Sequence, residues 1–177
     1  MPKNSIMEIE KDEKKILKEL SKNANRSIND IANSLGFSRQ KVWRIIKNLE
    51  KNNTIWGYAA VVDQEKINKK RYLMLMKRSN KPIAEETLNL IVSRDLASQV
   101  GKTGVEIITS SYMNGLYDWV ACFNATDIRE AKNLVETFNK LFEGYLIESH
   151  LLEEMFSTVS FGINNPEIEK FKDFFKV

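Results

Sequence analysis

The stretch Ser27 to Tyr58, SINDIANSLGFSRQKVWRIIKNLEKNNTIWGY, limits what this chain can fold into more than any other. It reads as two short helices joined by a tight turn, with a strand-like exit. Ala32 is small enough for two helices to approach closely, Gly36 suits the left-handed turn between them, and Val42 and Ile45 fill the angle. Ser27 and Ser38 stand where a hydroxyl can accept from the first amides of each helix. The spacing predicts a helix-turn-helix, a unit whose second helix enters the major groove of DNA.

A bracing helix is expected before it, with Asp12 as N-cap of EKKILKELSKN and Ile16, Leu17 and Leu20 as its apolar stripe. Ile28, Ile31, Ala32 and Leu35 face inward from the next helix. In SRQKVWRIIKNLEKN the buried stripe is Val42, Ile45, Ile46 and Leu49, so Arg39, Gln40, Trp43, Arg44 and Lys47 occupy the other faces. Arg pairs with guanine and Gln with adenine through twin hydrogen bonds, each worth about 1 to 3 kcal/mol of discrimination. Lys41 and Lys51 read as contacts to the phosphate backbone. Trp43 either packs on a sugar or a thymine methyl or lies partly buried beside the first helix. Together with the caps Ser27 and Ser38, these residues form the candidate DNA-binding set.

Charge placement agrees. Residues 1–62 carry twelve Lys or Arg against seven Asp or Glu, a surplus of five; with +3 for the whole chain, the remainder stands at minus two. A basic front joined to a mildly acidic back suits one part meeting phosphates and another meeting protein or a small molecule. The single cysteine, Cys122, excludes an internal disulfide and a multi-cysteine zinc site, and the single histidine, His150, leaves little for acid–base or metal chemistry. Cys122 reads as a small core residue and His150 as a strand side chain. No cofactor or metal is expected. No apolar run is long enough to span a bilayer and the start lacks a signal-peptide core, so a cytoplasmic protein with no membrane partner is expected.

After Asn52 and Asn53, which suit a left-handed turn, Thr54 to Val62 reads as a strand, and DQEKINKKR as a hinge. The second half runs strand (Tyr72–Lys77), helix opened by Pro82 with Leu88, Ile91, Val92 and Leu96 on one face, strand (Val105–Tyr112), turn MNGL, and strand (Tyr117–Phe123). A helix capped by Asp127 and lined by Ala131, Leu134, Val135, Phe138 and Leu141 follows, ended by Gly144 before a strand from Tyr145 to about Leu152. This order is the split βαβ arrangement, two helices on one face of a four-stranded antiparallel sheet. The fold expected is α+β, a helix-turn-helix domain at 1–62, a hinge at 63–71, a ferredoxin-like domain at 72–165 and a tail at 166–177. The tail offers STVSFGI as an extension of the sheet and EIEKFKDFFKV as a short helix. A sheet with one face uncovered invites a second copy of the chain.

LGFSRQKVWRIIKNLEKNNTIWGYAAVVD followed by a βαββαβ half with MNGLYDW at its central hairpin resembles the Lrp/AsnC family, the leucine-responsive or feast/famine transcription regulators. The resemblance covers residues 12 to about 155 and is strongest over Ser38 to Asp63. It implies a sequence-specific regulator of double-stranded DNA that forms a homodimer, with tetramers or octamers beyond it. It also implies a small effector, commonly an amino acid, near the hairpin loop, which here involves Asn114, Gly115, Tyr117 and Asp118. The chain departs from the family pattern at Ile45, where Arg is usual, at Asn53, where Gly is usual, and in the longer path LASQVGKTGVEIITSS. Two other readings share the architecture in whole or part: siroheme decarboxylases, whose chemistry calls for cationic and histidine side chains around a large cleft, and winged-helix modules that bind protein.

Overall fold

The computed structural model describes residues 4–93, 100 and 104–176, whose contacts divide into two units, 1–61 with 158–177 and 62–157. The first is built on helices α1 (Asn4–Lys22), α2 (Ile28–Leu35) and α3 (Arg39–Lys51). Their core is Ile16, Ile31, Ala32, Val42, Ile45, Ile46 and Leu49, with Leu17, Leu20, Ile28, Leu35, Phe37 and Ile55 packed around it. Both serine caps form as their spacing predicts: Ser27 Oγ accepts from Asp30 N at 3.1 Å and Ser38 Oγ from Lys41 N at 3.2 Å. Gly36 ends α2 at φ 66°, where a β-carbon would be strained, and Phe37 N donates to the Ala32 carbonyl that the helix leaves open.

Two local expectations are corrected here. Helix α1 begins at Asn4 and not after Asp12, because no Pro or Gly interrupts residues 4–12 and the Asp12 carboxylate is drawn to Lys41 and Lys15 instead of capping its own amides. Thr54 to Val62 forms no strand. Thr54 N and Ile55 N turn back to the Leu49 carbonyl (2.9 and 3.0 Å), with Asn53 taking the left-handed turn at φ 59°, and beyond them no strand among the described residues pairs with the segment. A strand needs a neighbour for its amides, and alternation alone does not supply one.

Residues 158–165, read from sequence with the sheet domain, group instead with the helical unit. They form their own hairpin, β5 (Val159–Ser160) and β6 (Ile163–Asn164), with Phe161 (φ 50°) and Gly162 (φ 77°) both left-handed as a type I′ turn requires. A 3₁₀ helix, Ile168–Phe174, follows.

The second unit runs β1 (Lys70–Arg78), α4 (Glu85–Val92), β2 (Glu106–Tyr112), β3 (Trp119–Ala125), α5 (Ile128–Leu141) and β4 (Leu146–Glu153). The sheet order is β2-β3-β1-β4, every pair antiparallel, which is the ferredoxin-like α+β arrangement. Alternation along β1 sends Tyr72, Met74 and Met76 to the helix side, where they pack with Ala121, Phe123, Ala131, Leu134 and Phe138. On the opposite side Leu73 stands between Cys122 and Leu152, and Leu75 between Val120 and His150. Asp127 caps α5, accepting from Arg129 N and Glu130 N, and these donors hold its carboxyl below the usual range.

Helix α4 differs from its expected form. It starts at Glu85 with Ala84 as N-cap, leaving Pro82 in the approach, where Lys81 N bonds to Ser79 Oγ. Ile91 packs on the core, Leu88 is exposed, and Val92 is 78% exposed; Leu96 lies outside the described residues. Of the three described apolar positions, Ile91 alone packs on the core, so the expected single buried stripe does not form over Leu88, Ile91 and Val92.

Candidate nucleic-acid interface and effector loop

Helix α3 presents Arg39, Gln40, Trp43, Arg44 and Lys47 on the side opposite its buried stripe, and all five are exposed. Trp43 is 53% exposed, which resolves its two readings in favour of the surface. Arg39 and Arg44 make no ion pair among the described residues, so their guanidinium groups are free to meet a base edge or a phosphate. Lys47 leans on Glu50 Oε2 at 2.7 Å, and Tyr58 donates to the other oxygen of Glu50 at 3.1 Å; both hold that carboxyl below its usual range, Lys47 first. Lys51 lies exposed in the last turn of α3.

Lys41 faces the other way. Its Nζ lies 2.5 Å from Asp12 Oδ2 and 4.2 Å from the centre of the Phe37 ring. Asp12 is buried, and the Lys41 bond holds its carboxyl below the usual range despite that burial. Asp12, Lys41 and Phe37 thus tie α1 to the start of α3. Sequence reading missed this cluster because Asp12 looked like a cap; the signal available was a carboxylate in an unbroken helix. Ser27 is spent inside its own helix, its hydroxyl donating to Asp30 Oδ2 at 2.7 Å while it accepts from Asp30 N. Ile45, where Arg is usual in the Lrp/AsnC pattern, is buried in the core.

In the sheet unit the hairpin between β2 and β3 is closed by Met113 N donating to Asp118 O at 2.7 Å, leaving Asn114, Gly115 and Leu116 exposed and Tyr117 half-buried. Asn114 and Gly115 do not take the left-handed conformations of a type I′ turn, so the Asn-Gly pair sits in a longer loop and not in a two-residue hairpin turn. Asp118 is a staple: its backbone N donates to Met76 O at 2.9 Å and its carboxylate accepts from Arg78 N at 2.8 Å. Tyr117 meets the edge of His150 with ring centres 5.6 Å apart, and His150 Nε2 lies 3.4 Å from Glu148, whose carboxyl is lowered by His150 and Lys77. Burial raises the Cys122 thiol, the state of a packing side chain and not of a nucleophile. Among the described residues no group of His, Cys, Asp and Glu is arranged to hold a metal, and no helix is long and apolar enough to cross a membrane.

These two units define a class: a helix-turn-helix unit carried with a ferredoxin-like sheet domain. The family model described as winged helix-turn-helix DNA-binding matches residues 13–55. The fold is similar to those of solved AsnC and feast/famine regulators. An AsnC family transcriptional regulator from Agrobacterium tumefaciens aligns with TM-score 0.61 at 20% identity, covering 84% of this chain and 91% of that one. A transcriptional regulator from Neisseria meningitidis in complex with L-Met aligns with TM-score 0.60 at 18% identity over 84% and 90%. The feast or famine regulatory protein of M. tuberculosis complexed with L-methionine aligns with TM-score 0.64 at 12% identity over 83% and 92%. By sequence, no curated protein matches the chain.

Proposed function

We propose that this chain is a sequence-specific DNA-binding transcription regulator that works as a dimer or larger assembly and answers to a small effector. The observation that carries the reading is the exposed, unpaired pair Arg39 and Arg44 on α3, flanked by Gln40 and Trp43 and backed by a fully apolar stripe. In this reading α3 enters the major groove. Arg39, Gln40 and Arg44 read base edges, Trp43 packs on a sugar or a thymine methyl, and Lys47 and Lys51 hold phosphates. Ser27, Ser38 and Lys41 set the helix positions from behind, with the Ser38 end of α3 adding its partial positive charge.

A second copy is the proposed cover of the open sheet face around Leu73, Leu75, Val120 and Leu152. The loop Asn114, Gly115 and Tyr117, held by Asp118, is the proposed place for an effector; the L-methionine complexes among the similar structures support an amino acid there. The reading needs no catalytic residue.

The test is a selection of bound duplexes from random DNA, followed by titration of the double variant Arg39→Ala, Arg44→Ala. The expected result is a palindrome with half-sites about one helical turn apart and an affinity loss of at least about tenfold in the variant. Undiminished affinity in a folded double variant overturns the assignment of α3 and moves a protein partner to the front.

A further inference from the structure

The sheet unit contains a cavity of about 450 Å³ between α4 and the helix side of the sheet, within the size range of small-molecule sites. Its apolar wall comes from Ile83, Leu88 and Ile91 on one side and Trp119 with Phe142 on the other. No residue of α4 is fully buried, so the helix stands over this space without filling it.

The polar side chains at the cavity all offer protons. Arg78 Nε is buried with no hydrogen-bond partner, although the same guanidinium reaches the Tyr112 hydroxyl through Nη1, and among the described residues Arg78 meets no carboxylate. Tyr112 accepts that bond and keeps its own proton to give. Tyr145 accepts from Ala84 N at 3.0 Å, and Ser110 accepts from Trp119 Nε1 at 2.7 Å, so each of their hydroxyls also retains a proton. The nearby Asp118 carboxylate is turned to the Arg78 backbone N. A guanidinium whose charge meets no carboxylate, beside unfilled apolar space, is costly. An anionic head on an apolar body removes both costs. A free ammonium would meet the like charge of Arg78 and no acid.

We infer that this cavity binds a medium-length apolar monocarboxylate, its carboxylate on the Arg78 guanidinium and the Tyr112 hydroxyl and its chain along Ile83, Leu88, Ile91 and Trp119. The site is separate from the hairpin-loop effector position and does not rest on DNA binding.

The test uses the full chain with n-octanoate, 1-octanol, n-octylamine and L-leucine, read by calorimetric titration. Octanoate should bind at least about tenfold tighter than octanol, with octylamine and leucine weaker still. Arg78→Gln should remove that octanoate advantage while leaving octanol binding within about twofold, and Ile91→Trp, which fills the space, should abolish binding of both. Equal affinity for octanoate and octanol, a preference for leucine or octylamine, or an unchanged octanoate affinity in Arg78→Gln overturns the proposal. Should Arg78→Gln fail to fold, the comparison of the four probes on the parent chain decides it.

Discussion

At the scale of single residues, the ion pair between Asp12 and Lys41 is the least expected feature of the reading domain. Its Asp12 carboxyl is lowered chiefly by the Lys41 hydrogen bond, so it contributes stability above the unfolded-state value of about 3.9 and loses that contribution as pH falls through its lower folded value. Asp12→Asn should therefore be less stable than the parent by a margin that is full above about pH 5 and shrinks below about pH 4. Chemical denaturation across that range checks it, and a margin independent of pH would show that the pair contributes nothing through its charge. Residues whose role is local were legible from the chain: Ser27, Ser38, Gly36 and Asp127 each take the cap their position predicts. Asp12 and Arg78 were not, because their partners, Lys41 and Tyr112, are distant in the chain and adjacent only after folding. The parity of β1 held a usable hint, since Arg78 follows Tyr72, Met74 and Met76 in the row that faces the helices.

At the scale of elements, α2 and α3 follow their apolar stripes closely, because a three-and-four spacing on a capped helix leaves one face to bury. The turn between them depends on Gly36 at φ 66°, and a β-carbon there meets no neighbouring atom, so any cost of substitution is conformational. Gly36→Ala should destabilise the domain by about 1 to 2 kcal/mol without changing the contacts of α2 and α3. Urea unfolding followed by helical circular dichroism measures this; a neutral substitution would mean that the turn relaxes. Elements whose existence depends on a neighbour were misjudged. Thr54 to Val62 alternates like a strand but finds no ladder among the described residues, and Trp56 is left 95% exposed. The hairpin of β5 and β6 went unread as a separate unit because Phe161 at φ 50° is a residue that seldom takes the left-handed position.

For the whole molecule, the βαββαβ order was legible because each strand and helix carries its own period, and the sheet order β2-β3-β1-β4 follows from it. The grouping of 158–177 with the helical unit was not, since nothing in the local pattern of the tail records which core it joins. The open face of the sheet bears directly on assembly. If a second copy covers Leu73 and Leu75, then Leu73→Lys places like charges in the buried face and should weaken self-association by at least about tenfold. Sedimentation equilibrium against concentration reads the change, and an association constant that the substitution leaves untouched assigns dimerisation to another surface. The Lys41–Asp12 pair bears on the proposed binding of DNA. If α3 enters the major groove as proposed, a lysine whose charge is already paired within the protein should release no counterion from the duplex, so each copy should add one cation fewer to the salt dependence than a count along α3 gives, a difference of about 0.9 in the slope of log affinity against log salt. In that reading α3 would hold DNA less firmly where the sequence is wrong, and base contacts would decide a larger share of where it binds.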